Sequence, residues 1–170
     1  MAVRNNKRSN FLSGSIFIAP NCYILGNVEL GKDTSIWFGS NIRSDDGVTV
    51  IKEGSAVLEN CYIEDSIIGK NCVVSHGAIV HKAVIKVSTF IGIGARVLNG
   101  VEIGENCLIG AGAVILPGRK IAPNSVVVGN PGRVLRETTV EDLEFIKQSS
   151  IRILNNAIRY SKMFSREMRG

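Results

Sequence analysis

Residues 75–81, SHGAIVH, hold both histidines of the chain, His76 and His81. An imidazole serves as a metal ligand or as a general base near neutral pH. A spacing of five is poor for one helix face and puts the two rings on opposite faces of a strand. The pair alone leaves three readings open: metal ligands, one catalytic base beside a bystander, or two buried rings. Choosing among them requires the elements that carry the histidines.

The chain has 170 residues, enough for one domain with a real core. It is 45% hydrophobic but only 6% aromatic, and its apolar residues are mainly Val and Ile, which favours strands. No apolar run approaches the roughly 18 residues of a membrane span. The N-terminus lacks an apolar signal core, so the expectation is a cytoplasmic protein with no membrane role. The net charge of +5 is spread thinly, with small clusters at Lys7–Arg8 and near the C-terminus. No aromatic residues interleave with these charges to stack on bases, so nucleic acid is not an expected partner.

A six-residue repeat organises most of the sequence. Apolar residues recur at Ile18, Ile24, Leu30, Ile36 and Ile42, then at Ile51, Val57 and Ile63, and again at Ile68, Val74 and Val80. The series ends with an unbroken run of sixes from Ile85 to Val127. Three places after each mark stands a Gly, Asn or Asp, with Ser66, Ala83 and Ser88 the exceptions. These residues best tolerate positive φ, so each hexad reads as a short strand and a tight left-handed corner. Cys22, Cys61, Cys72 and Cys107 each follow a corner Asn, a place that Ala, Ser and Thr also fill, and so read as small structural thiols.

Hexads of this kind resemble the hexapeptide-repeat proteins. The resemblance implies an all-β fold, a left-handed parallel β-helix with three hexads per coil, over roughly residues 14–135. After it, Thr138 and Glu141 have capping-box spacing, with Thr139 as the alternative N-cap. Leu143, Ile146, Ser150, Ile153 and Ala157 then mark an apolar stripe at helical spacing. The expected organisation is a β-helix domain over 1–137 with a lead-in at 1–13, a C-terminal α-helix over 138–164 and a tail at 165–170. The helix is expected to pack on the coil or on a neighbour.

Grouping the marks in threes gives 18-24-30, 36-42-51, 57-63-68, 74-80-85, 91-97-103 and 109-115-121. The only steps that are not six, 42 to 51, 63 to 68 and 80 to 85, fall at one corner of consecutive coils. The residues just after the second mark there are Arg43, Glu64 and His81. Glu64 and His81 should therefore stack one coil apart, close enough to share an ion. His76 lies near a different corner, a triangle side away; one chain does not readily bring it to them, whereas a neighbouring chain packed about a three-fold axis could.

The stretches FIAPNCYILGNVELGKDTSIWFGSNIRSDDG, SHGAIVHKAVI and VVVGNPGRVLRE are similar to the γ-class carbonic anhydrases. That resemblance implies a homotrimer acting on carbon dioxide and bicarbonate. It implies a divalent metal at the subunit interface, with His76 and His81 at two of the family's three histidine positions and His76 reaching across. Arg43 and Asp45 match an Arg-x-Asp motif implied to form an ion pair between subunits. In LENCYIE the chain departs from the pattern: Leu58 replaces a Gln, Glu59 an Asp, and Glu64 the first ligand His. Two histidines and a glutamate still make a zinc set, and iron and cobalt accept the same donors. The added negative charge should weaken hydration, which needs a water acidified near neutral pH. Two other readings remain open: a CoA-dependent acyltransferase using one histidine as base, and a non-catalytic structural trimer.

Overall fold

The computed structural model describes residues 17–167, so the lead-in at 1–13 lies outside the described residues. The chain winds as a left-handed parallel β-helix of about six coils, followed by one helix. Its strands, two to four residues long through the coils, form three sheets, one per side of the triangle. On the first side Ile18, Ile36, Val57, Val74, Ile91, Ile109 and Val127 stand in register. The second side stacks Ile24 through Ile115 and the third Leu30 through Ile121. These are the marked residues, grouped in threes as the repeat predicts.

The marked side chains fill the interior, and Ile36, Ile63, Val80 and Ile103 have no exposed surface. Burying one such side chain contributes about 1.5–3 kcal/mol, so a ladder of them accounts for a core with few aromatics. The final strand, Arg133–Glu137, turns back antiparallel on Ser125–Val128 and closes the first sheet.

Most corners follow the sequence, with positive φ at Asp33, Asn60, Asn71, Ser88, Asn106 and Asn124 and at glycines such as Gly39, Gly77 and Gly112. Ser66 and Ala83 need correcting. There the left-handed residues are Asp65 (φ 43°) and Lys82 (φ 48°), because a five-residue step must turn one place earlier. Gly26 likewise takes the corner expected at Asn27. Only glycine fits at 26, since a Cβ would lie 2.0 Å from the Ser44 carbonyl oxygen.

The four cysteines are free and buried at the inner corners. Cys22, Cys61 and Cys72 each donate Sγ–H to a carbonyl of the next coil, at 2.8, 3.0 and 2.9 Å. Burial pushes Cys22 up to about 11 and Cys61 and Cys72 up to about 12.

Helix α1, Val140–Glu167, runs along the first side. It takes in the first three residues of the expected tail. Thr139, not Thr138, is its N-cap: Asp142 N–H donates to Thr139 Oγ1, and Thr139 N–H to Asp142 Oδ2. Arg136 also grips Asp142, and these contacts hold its carboxyl at about 2. The buried stripe is Ile146, Ser149, Ile153 and Ala157, with Ser149 where Ser150 was expected and Leu143 exposed. The reason lies further along, where Tyr160 and Phe164 pack on Phe17 and Phe38 and so set the rotation of the helix. No helix among the described residues is long and apolar enough to cross a membrane.

Candidate metal centre

The register puts Arg43, Glu64 and His81 in one vertical row on the second side, each at the end of its strand. Glu64 is buried, with 5% of its surface exposed. Its Oε2 accepts from Arg43 Nε at 3.1 Å and lies 3.0 Å from Nη2. The Tyr62 hydroxyl donates to the same oxygen. Tyr62's donation is the main reason the Glu64 carboxyl is held below the usual range; burial opposes it, and His81 and Arg43 add to it. Conversely, burial and the Glu64 carboxylate push the Tyr62 phenol up to about 12. Glu64 is therefore a fixed anion with its other oxygen, Oε1, left to face His81.

That oxygen lies 3.3 Å from His81 Nε2. The other ring nitrogen, Nδ1, is 2.5 Å from Asn99 Oδ1. An amide oxygen only accepts, so Nδ1 carries a proton, and whenever the ring is neutral its Nε2 turns a lone pair toward the carboxylate. Such a pair requires a cation between the two atoms, either a proton or a metal ion. Two atoms each about 2.0–2.2 Å from zinc stand about 3.3–3.6 Å apart at a tetrahedral angle, so the pair fits a metal. Asn99 supplies the outer contact that ligating histidines commonly have.

His76 is not part of this row. It stands at the corner between the first and second sides, half exposed, with Nδ1 2.7 Å from Glu59 Oε2. The contact is close but poorly aligned, and that buried oxygen has no in-line hydrogen-bond partner. Among the described residues no three His, Cys, Asp or Glu side chains of one chain come together to hold a metal. Arg43 meets Asp45 of its own chain at 2.9 Å.

The irregular corner has a structural use that the sequence did not reveal. Asp65 accepts backbone N–H groups of Asp45, Asp46 and Gly47 at 3.0, 3.2 and 3.1 Å, holding the inserted loop from below. Burial pushes the Asp65 carboxyl up, but these donors and Ser44 outweigh it, and the net shift is down. Lys82 pairs with Asp46 at 3.0 Å from the coil beyond. The two shortened steps thus build the bed on which the lengthened one lies. Sequence reasoning missed Asp65, Lys82 and Asn99. The signals were the five-residue steps themselves and the interval of 18 between His81 and Asn99, one full coil.

Residues 82–117 match the family Bacterial transferase hexapeptide (six repeats). A carbonic anhydrase of Geobacillus kaustophilus is 39% identical over 137 residues, 78% of this chain and 75% of that protein. Gamma carbonic anhydrase 1, mitochondrial, of Arabidopsis thaliana is 32% identical over 152 residues, 83% of this chain. The chain spans 55% and 58% of the length of that protein and of gamma carbonic anhydrase 2. A Bacillus cereus structure named as a candidate acetyltransferase superposes with a TM-score of 0.78 at 32% identity, covering 86% of this chain and 91% of its own. The chain belongs to the γ-carbonic anhydrase family of hexapeptide-repeat proteins.

Proposed function

We propose that the chain forms a homotrimer that holds a divalent metal, zinc by first choice, at each interface through Glu64 and His81 of one subunit and His76 of the next. The observation that carries this reading is the 3.3 Å separation of His81 Nε2 from Glu64 Oε1, with the ring held by Asn99 at Nδ1. When bound, the metal would acidify water and so supply the nucleophile for carbon dioxide hydration. Glu64 brings a full negative charge where the family's pattern has a neutral imidazole, and that charge opposes the ionisation of a nearby water. Arg43 and Tyr62 draw on the same carboxylate and offset part of the charge. The proposed activity is therefore hydration at a reduced rate. Metal analysis of untagged protein, with light scattering for the mass, tests the site. A metal-free trimer that hydrates no carbon dioxide would leave a structural role.

The likeness to the Bacillus cereus candidate acetyltransferase supports a second reading, CoA-dependent acyl transfer with His76 or His81 as base. Calorimetry with acetyl-CoA decides it: saturable micromolar binding favours transfer, and no heat favours the metal centre.

A further inference from the structure

Helix α1 and the first side of the coil enclose an open groove of about 650 Å³. Glu59 and His76 are part of its lining, and the helix contributes Arg152, Asn156 and Arg159. At 1.5 Å per residue the two arginines stand about 10 Å apart along the helix. Arg152 has no ion-pair partner among the described residues. Ile93, in the same lining, is 57% exposed, an apolar side chain left open to solvent beside the two cations.

The opposite chemistry sits on the second side, around the inserted loop. Asp45 and Asp46 project from it, Asp46 with 80% of its side chain exposed. Asp65 holds the loop rigid through its backbone. Leu25 and Tyr23, 47% and 56% exposed, stand beside Arg43 and Asn41 in the next strand. Arg43 ties the loop to Glu64. With the coils of the two chains side by side and parallel, bringing His76 of one chain to the Glu64–His81 pair of another also turns this loop, which follows Arg43 in the same row, toward the groove that His76 lines.

We infer that the groove between α1 and the coil is the docking site for the 44–47 loop of a second copy of this chain, with Asp45 and Asp46 meeting Arg152 and Arg159. This rests on the interface metal centre proposed above and adds a named role for the basic face of the helix. Opposite charges fix the register in which the copies meet, and the exposed apolar residues on each side supply buried area.

The test is a charge-swap cycle read by light scattering across a dilution series of the full chain. Arg152→Glu and Asp46→Arg should each raise the concentration at which the trimer dissociates about tenfold or more, and the double swap should recover most of the loss. Single swaps that leave dissociation unchanged overturn the docking inference and leave the trimer reading standing. A monomeric wild type overturns both. A folding defect, visible by circular dichroism, is bypassed by an Asp46→Cys, Asn156→Cys pair, because the four native thiols are buried. Oxidation should then link chain to chain, and a protein that stays unlinked at trimer concentrations overturns the inference.

Discussion

His81 and Asn99 stand one coil apart, imidazole Nδ1 against amide Oδ1, and this contact decides which way the His81 lone pair points. Asn99→Leu removes the acceptor without changing charge. In the metal-free protein, nitrogen-15 NMR of the ring should show Nδ1–H dominant in wild type and both tautomers in the variant. Metal affinity should fall about 10- to 100-fold, as for other outer-shell contacts.

Asp65 should matter to stability more than its absence from any catalytic motif suggests. Asp65→Ala frees three backbone N–H groups and unseats the loop, at a cost of about 1–3 kcal/mol read by urea titration. Its folded pKa is depressed, so its contribution is fully present above the unfolded value of about 3.9. The contribution is lost as pH falls through the folded value. The wild-type advantage over Asp65→Ala should therefore shrink below about pH 4.

The cysteines should behave as core residues. With Cys61 and Cys72 pushed up to about 12, little thiolate exists at pH 8. Iodoacetamide should leave the native protein unmodified and label all four thiols once it is unfolded. Fast labelling of native Cys61 would contradict the inner-corner placement.

Much of this was legible in the residues because a solenoid ties each position to another a fixed interval away. Grouping 57-63-68 against 74-80-85 was enough to put Glu64, just after Ile63, under His81, just after Val80, and the structure pairs them. The corners at Asp65 and Lys82 were misplaced because a shortened step changes which residue must turn, and no propensity marks a lysine as left-handed. The helix stripe slipped by one residue at Ser149 because aromatic packing at Tyr160 and Phe164 fixes its rotation from the far end. His76 is a different case. Its partners in the proposed site lie on another chain, which neither the repeat nor a single fold brings to it.

Glu64→His should make the centre a better hydration catalyst. Replacing the anion with a neutral imidazole removes the charge that opposes ionisation of water. Combined with Leu58→Gln, which restores a polar neighbour, it should raise stopped-flow carbon dioxide hydration above the wild-type rate. A wild type already as fast as an efficient anhydrase would show that the carboxylate is no handicap.

The most direct measurement is elemental analysis of untagged protein purified without added metal, for wild type, Glu64→Ala and His76→Ala. The interface centre predicts about one divalent metal ion per chain in the wild type and a large loss in each variant. A wild-type trimer without metal, or a Glu64→Ala protein that keeps its full content, would contradict it.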